Sequence, residues 1–242
     1  TQAGELLVAL RAESRTEGRT AREMAELGDR LSNEAIIAGL AEGRPGDAIL
    51  SEESVDDRRR LEADRVWIVD PLDGTREFTM PERTDWAVHV ALWERTRGIT
   101  SAAVALPALG LTLPDGDAPF DFDSRPPDGA IRALVSDSRP PAWIGALAER
   151  LPLEVRPMGS AGAKAMAVVR GEADAYLHAG GQYEWDSAAP VGVAGRAGLH
   201  TSLIDGTPLM YNQANPYLPD LLICRADLAE RLLEALTTVG AT

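Results

Sequence analysis

One cysteine, Cys224, stands among 242 residues, so no disulfide can form within the chain. It lies in the apolar run Leu221-Leu222-Ile223-Cys224, where a buried, inert thiol is the expectation. The lack of disulfides fits a reducing, cytoplasmic setting. Long apolar runs are missing too. No stretch approaches the roughly eighteen residues a membrane span needs, so no membrane partner is expected. Positive charge is scarce: Lys and Arg total 24 against 38 Asp and Glu, a net charge of −14. No dense basic stripe appears, which argues against a nucleic acid polymer as partner. A small phosphorylated ligand stays open, because bound cations can reverse the local field. The stretch TQAGELLVALRAES has no basic start or small-residue cleavage site, and reads as an amphipathic helix rather than a signal peptide. His89, His178 and His200 fall in no zinc spacing, and each reads as structural. No Gly-x-Ser-x-Gly elbow supports a serine nucleophile.

What is present divides into two patterns. Residues 1–127 read as α+β. ELLVALRAE and GDRLSNEAIIAGLAEG are helices, the second with Leu31, Ala35, Ile36 and Leu40 near one face. DAILSEES is a short strand entering a loop, and DDRRRLEADR a solvated charged face. VWIVD is a strand apolar on both faces, hence central in a sheet. DWAVHVALWE and GITSAAVALPALGLTL supply two or three more strands. The Pro-, Asp- and Gly-rich stretch 114–129 reads as a linker. Residues 128–242 then alternate strand and helix as an α/β unit. In that unit the prolines of PPAWIGALAERL occupy a first helical turn, and Asp186 opens a helix.

Acidic residues recur where apolar strands end. Asp70-Pro71-Leu72-Asp73-Gly74-Thr75 follows VWIV. Pro71 biases Asp70 toward extended geometry, so the strand is expected to end there. Gly74 permits a positive φ or a close ligand approach. Two carboxylates aimed beyond a buried strand repel, and a hard divalent cation offsets that directly. A plain turn remains the simpler alternative. An EF-hand fails, since Pro81 or Thr84 would stand where the bidentate Glu belongs. Glu52 and Glu53 follow DAIL, as a solvated loop or as further ligands. Asp186 after Trp185, and Asp29 in ELGDRL, could each be a helix N-cap. GSAGAKAMAV, 159–168, lets another group approach a helix start, or simply packs tightly. It is no Walker A loop, because the spacing before Lys164 is wrong.

Taken together, LSEES, WIVDPLDGTREF, GSAGAKAMAV and EWDSAAPVG resemble the inositol monophosphatase-like superfamily, over nearly the whole chain. Arg76-Glu77-Phe78, where Thr-Asn-Phe is usual in inositol monophosphatases, is similar to the CysQ-type 3′(2′),5′-bisphosphate nucleotidases. DWAVHVALW, YLHAGGQYEWDSAAP and YNQANPYLPDLL resemble actinobacterial members.

The resemblance implies a layered α-β-α-β-α sugar-phosphatase fold, and a lithium-sensitive phosphomonoesterase that is a homodimer. The implied reaction is hydrolysis of adenosine 3′,5′-bisphosphate, a by-product of sulfate assimilation, to AMP and phosphate. Inositol phosphate and fructose 1,6-bisphosphate are the alternative substrates. A non-catalytic metal- or nucleotide-binding module is the rival from another class. The implied cofactor is Mg²⁺, two ions or three. Glu52, Asp70 and the Leu72 carbonyl would hold one, and Asp70, Asp73 and Asp186 the second, with Glu53 outside the direct ligand set. Thr75 with Asp29 would orient and deprotonate water. Gly74 and Thr75 would receive phosphate, and Asp186, Arg76, Gly159, Ser160, Ala161 and Lys164 would contact the rest of the substrate. One departure stands out: the family's Asp-x-Ser-x-x-Thr-x-x-Asp stretch survives here only as Asp29, with Glu26 in place of the Thr. The departure falls on the loop that contributes to the third metal site in the resemblance.

Overall fold

The computed structural model describes residues 2–114 and 129–241. The linker expected at 114–129 and the boundary expected near 127 lie essentially outside them. Two helices lead: α1 (Gln2–Thr16) and α2 (Ala21–Gly43). Thr20 caps α2, its hydroxyl accepting from the Glu23 N–H while the Glu23 carboxylate accepts from the Thr20 N–H. This reciprocal cap starts α2 well before Gly28. Asp29 is therefore mid-helix and not an N-cap.

A five-stranded sheet follows in spatial order β1-β2-β3-β4-β5. Its strands are β1 (Ala48–Ser51), β2 (Arg65–Asp73), β3 (Ala87–Glu94), β4 (Gly98–Leu106) and β5 (Leu111–Pro114). β1 and β2 run parallel, and the rest form an antiparallel meander. A five-residue helix, α3 (Thr75–Thr79), leaves the end of β2. The charged stretch before β2 departs from expectation at Arg60. Arg60 is 1% exposed, its guanidinium donating to Asp56 and to Asn212 Oδ1 at 2.7 Å. Arg60 is thus a tie between distant segments, while Asp57, Arg58, Arg59, Glu62 and Asp64 form the solvated face that was expected.

The second sheet has the order β7-β6-β8-β10-β9. It comprises β6 (Ile131–Ser136), β7 (Leu153–Met158), β8 (Ala175–Tyr183), β9 (His200–Ser202) and β10 (Tyr217–Cys224). β7, β6 and β8 are parallel, whereas β10 is antiparallel to both neighbours. Helices α4 (Ile144–Arg150), α5 (Ala161–Val169), α6 (Glu184–Arg196) and α7 (Ala229–Thr238) complete the chain. The prolines at 140 and 141 precede α4 rather than sit in its first turn, and α6 opens at Glu184, two residues before Asp186.

The apolar clusters show the layering. α1 and α2 cover one face of the first sheet through Leu7, Leu10, Met24, Leu72, Phe78 and Trp86. α5 and α6, rich in small residues, lie between the sheets, where Ala165, Met166, Ala188 and Ala189 pack with Ile68, Val104, Tyr176 and Leu221. α4 and α7 cover the outer face of the second sheet through Leu147, Leu232 and Leu236. The result is the five-layer α-β-α-β-α arrangement. Burial of such alternating faces is the main stabilising term, at about 25 cal/mol per Å² of apolar surface. No described helix is long and apolar enough to cross a membrane.

Candidate active site

The site begins at the end of β2. β2 does not stop at Asp70, as Pro71 suggested. It continues to Asp73 through an irregularity that breaks its register with β3 between Asp70 and Asp73. Pro71 has no N–H to give a ladder, and a bulge accommodates that. The Leu72 N–H turns to Asp70 Oδ1 at 3.0 Å. Gly74 then takes φ 84°, a conformation costly for any residue with a Cβ. An added Cβ there would also lie 3.0 Å from Ser160 Cβ and 3.2 Å from the Asp85 carbonyl.

Asp73 is embraced from the other side. Ser160 Oγ donates to Asp73 Oδ2, as does the Gly162 N–H at 2.6 Å, and the Ala161 N–H reaches Oδ1 at 3.2 Å. These donors form the start of α5, so the helix dipole adds to the hydrogen bonds. Burial raises the Asp73 pKa, but His89 and these donors outweigh it and leave the carboxyl well below the usual range. His89 is fully buried, with Nδ1 3.0 Å from the Trp185 carbonyl oxygen and Nε2 3.2 Å from Asp73 Oδ2. Both ring nitrogens thus face acceptors, an environment suited to the doubly protonated ring. Burial pulls the His89 pKa down, and the Asp73 carboxylate with the other acceptors raises it overall.

One carboxylate oxygen from each of Asp70, Asp73 and Asp186 lies within 4.8 Å of the others. Asp186 sits in the first turn of α6, and its Oδ2 accepts from the Tyr183 N–H at 2.6 Å. It therefore caps a helix and joins the cluster at once. Burial first, then Asp73, lifts its pKa to about 6. Glu52, just past β1, is not one of the trio. Although the residue as a whole is exposed, partial desolvation of its carboxyl at the cluster, then Asp186 and Asp73, raise its pKa to about 7. Asp70 Oδ2 is buried without a well-formed hydrogen bond among the described residues; its nearest cation is His89 Nδ1, 3.9 Å away, and the Glu52 carboxyl stands beside it. Burial, Asp73, Glu52 and Asp186 push Asp70 well above the carboxylate range.

A buried, unpartnered carboxylate oxygen among like charges is destabilising twice over. A hard cation bound by oxygens removes both penalties. The donor set is all oxygen, which suits Mg²⁺, Ca²⁺ or Mn²⁺ and not a soft metal. The residues present therefore fit a divalent ion.

Thr75 stands beside this cluster. Its hydroxyl lies 3.3 Å from Asp29 Oδ1 and 3.1 Å from the Leu72 carbonyl oxygen. Burial and then Glu53 raise the Asp29 pKa to about 6.

A cavity of about 330 Å³ opens from Asp73 and Asp186 and takes in Gly74, Thr75, Arg76, Gly159, Ser160, Ala161 and Lys164. The structure thus brings every expected substrate contact to one space. Several are already engaged. The Arg76 guanidinium donates to Glu77 Oε1 and Asp137 Oδ1. The Gly159 N–H goes to Asp85 Oδ2 at 2.7 Å. Lys164 is buried and turned back on the carbonyls of Gly159 and Ser160, its Nζ 5.0 Å from the centre of the Tyr176 ring. Burial lowers its pKa to about 8.

Nearly the whole chain, residues 2–113 and 129–241, matches the sequence profile of one family. The chain belongs to the inositol monophosphatase family. The 3′-phosphoadenosine 5′-phosphate phosphatase of Mycobacterium leprae is 52% identical over 99% of this chain and 91% of its own length. The 3′(2′),5′-bisphosphate nucleotidase CysQ of Escherichia coli is 29% identical over 78% of this chain and 80% of its own. Among solved structures of inositol monophosphatase family proteins, CysQ from Bacteroides thetaiotaomicron superposes with a TM-score of 0.75 at 24% identity. That match covers 92% of this chain and 93% of the other, and it shows the shared fold.

The sequence pattern missed Tyr176, His178, Gln182 and the 136–139 turn, which line the cavity, and His89, which packs against Asp73. His89 carried a usable signal only in register: it pairs directly with Asp70 across β2 and β3. His178 and Tyr176 sit on alternate positions of β8, which share one face. The close approach of α5 to His89 yields a test of the packing. An added Cβ at Gly162 would lie 2.1 Å from His89 Nε2 and 3.0 Å from Ala87 Cβ. Gly162→Ala is therefore expected to cost about 1–3 kcal/mol in urea unfolding. A variant as stable as the parent would show that α5 can retreat.

Proposed function

We propose that this protein is a Mg²⁺-dependent phosphomonoesterase that hydrolyses adenosine 3′,5′-bisphosphate to AMP and phosphate. The likeness to the mycobacterial phosphatase carries the substrate, and the orphaned Asp70 oxygen within its carboxylate cluster supports the metal dependence. In this reading Glu52, Asp70 and the Leu72 carbonyl hold one ion, and Asp70, Asp73 and Asp186 a second. Bound there, Mg²⁺ supplies charge neutralisation at phosphoryl oxygens and acidifies water. Glu26, standing where the family has Thr, leaves two ions as the proposed count. The same reading carries lithium sensitivity, a homodimer, and a cytoplasmic role beside sulfate assimilation.

The chain's own groups do the rest. Thr75 Oγ1 orients water with one lone pair and passes a proton toward Asp29. A carboxyl with a pKa of about 6 is better matched to taking a proton near neutrality than an ordinary aspartate. The Gly74 and Thr75 N–H groups receive phosphate oxygens. Ser160, Gly162 and His89 hold Asp73 in one orientation, so the ligand set is pre-organised rather than assembled on binding. Through Asp73, Ser160 and Ala161 serve the metal side of the site, while Gly159 and Arg76 shape the cavity wall.

Phosphate release should be measured on adenosine 3′,5′-bisphosphate, inositol 1-phosphate and fructose 1,6-bisphosphate, with and without Mg²⁺. The bisphosphate nucleotide is expected to give the highest kcat/KM, and EDTA to abolish it. A higher value for inositol phosphate or fructose bisphosphate would replace the substrate, and absence of turnover on all three would leave a binding module. Within the mechanism, Thr75→Ala and Asp29→Asn are each expected to lower kcat by about 10²–10⁴-fold, the range of general acid–base catalysis. Both should keep the Mg²⁺-induced rise in Tm. Loss of that rise would move these residues from proton transfer to metal binding.

A further inference from the structure

A bisphosphate brings a second phosphate, which the carboxylate end of the cavity repels. In a chain of net charge −14 a second anion needs a local cation. The cavity wall offers Arg76, Arg139, Lys164 and His178. Three of these are already committed. Arg76 donates to Glu77 and Asp137, and its neighbour Arg83 to Asp85 and Asp137. Lys164 is spent on the carbonyls of Gly159 and Ser160. His178 has Nε2 3.0 Å from the Gly181 carbonyl oxygen, so that nitrogen carries the proton. Its Nδ1, 3.4 Å from the Tyr176 hydroxyl, is then the acceptor, and the ring is satisfied as the neutral form.

Arg139 remains. Its backbone N–H donates to Ser136 Oγ at 3.2 Å, which fixes the turn after β6. Its side chain is exposed at the cavity, and no carboxylate lies within ion-pair distance among the described residues. A second observation points to a ligand in the same space. Gln182 is 5% exposed and lines the cavity, yet its Oε1 has no hydrogen-bond partner among the described residues. A buried amide oxygen left without a donor is costly unless a ligand hydroxyl or amino group supplies one. The cavity wall thus holds an unsatisfied acceptor as well as an uncommitted cation among the described residues.

We infer that Arg139 is a specificity-determining residue, whose guanidinium grips the phosphate that is not cleaved. The inference rests on the bisphosphate reading above. It takes this role from Arg76, whose donors are held by two carboxylates, and gives it to a planar fork free to bond an anion with two N–H groups. Burial lowers the His178 pKa, the hydrogen bond to Gly181 opposes it, and the charges of Lys164 and then Arg139 add to the lowering, so both cations act in the same space as the ring.

The test compares kcat/KM for adenosine 3′,5′-bisphosphate and adenosine 3′-monophosphate in the full-length protein, Arg139→Ala, Arg139→Lys and Arg76→Ala. The wild type is expected to prefer the bisphosphate. Arg139→Ala should cut that preference by about 10–100-fold, as for loss of a charge-assisted hydrogen bond. Arg139→Lys should recover part of it, since an ammonium keeps the charge but not the fork. Arg76→Ala should change the preference far less. If Arg139→Ala keeps the wild-type preference, the inference is overturned and the bisphosphate reading stands. If Arg76→Ala alone erases the preference, Arg76 is the anchor. If the wild type shows no preference, the bisphosphate reading fails and the inference falls with it.

Discussion

Asp70→Asn is expected to cut Mg²⁺-dependent phosphate release by orders of magnitude and to make the metal-free protein harder to melt. Both effects follow from one oxygen. Asp70 Oδ2 is buried, lacks a well-formed hydrogen bond among the described residues, and faces Asp73, Glu52 and Asp186, with His89 Nδ1 3.9 Å away as the only partial offset among the described residues. The amide has nearly the same shape. Its oxygen can still accept from the Leu72 N–H, as Oδ1 does at 3.0 Å. Its NH₂ replaces an orphaned acceptor with a donor that can serve the neighbouring carboxylates. Removing one unsatisfied buried group is worth about 1–3 kcal/mol, which for a chain of this size is a rise in Tm of roughly 2–12 °C. The same change removes the ligand proposed to be shared by both ions. Activity should fall by at least about 10²–10³-fold, the scale of losing one electrostatic contact to the reacting group. Differential scanning calorimetry in EDTA and phosphate release in Mg²⁺ read the two effects. A lower Tm in EDTA would refute the strain, and retained turnover would refute the ligand assignment.

The second large effect is the pH dependence of the metal-free fold. Glu52 is raised to about 7, Asp186 and Asp29 to about 6, and Asp70 well above its ordinary value. Each folded pKa exceeds the unfolded one, so the folded state binds more protons in the interval between them. Stability then falls as pH rises from about 4 through the folded pKa values. His89, also raised, contributes stability that is lost in the same direction. Asp73 is lowered, so its contribution is present above the unfolded pKa and lost only in stronger acid. From pH 5 to 8 the carboxyl and His89 terms share a sign; the buried His178 and the partly buried His200, whose pKa values burial lowers, oppose them only up to the ordinary histidine value of about 6.5. The metal-free protein should melt several degrees lower at pH 8 than at pH 5. Mg²⁺ should reverse the order, because it binds the deprotonated carboxylates and releases their protons. Melting curves across pH, with and without Mg²⁺, check this. A flat or rising Tm in EDTA would mean that the carboxylates are already neutralised within the protein.

These effects trace stability lost to function. A site of repelling carboxylates destabilises the empty fold, and the surrounding layers of alternating apolar faces offset it. The same layers explain which parts of the fold were legible. VWIVD, DWAVHVALWE and LEVRPM carry strand patterns that the structure follows closely. β9 carried no such signal, being three residues of His-Thr-Ser that pair along β10. The antiparallel placement of β10 was equally hidden, since a strand's direction depends on where its connections run. Asp29 and Asp186 read as possible N-caps because a single acid before a helical pattern looks alike at either position. Thr20 and Tyr183 hold those N-cap positions in the structure.

By itself the sequence determined that acids would gather. Asp70, Asp73, Glu52 and Asp186 each follow an apolar strand or open a helix, and short-range geometry aims such residues at the same edge of the layers. Gly74 and Pro71 imposed a bend at the centre, through dihedral limits that need no partner. Only the tertiary structure decided how those charges are balanced. His89 lies opposite Asp70 by strand register, the start of α5 closes on Asp73 from nearly ninety positions away, and Asp137 takes Arg76 across a separation of 61. Whether a cation is free to bind a ligand depends on distances to acids remote in the chain. That is why Arg76 looked like the substrate's grip in the sequence and Arg139 became the open one in the fold.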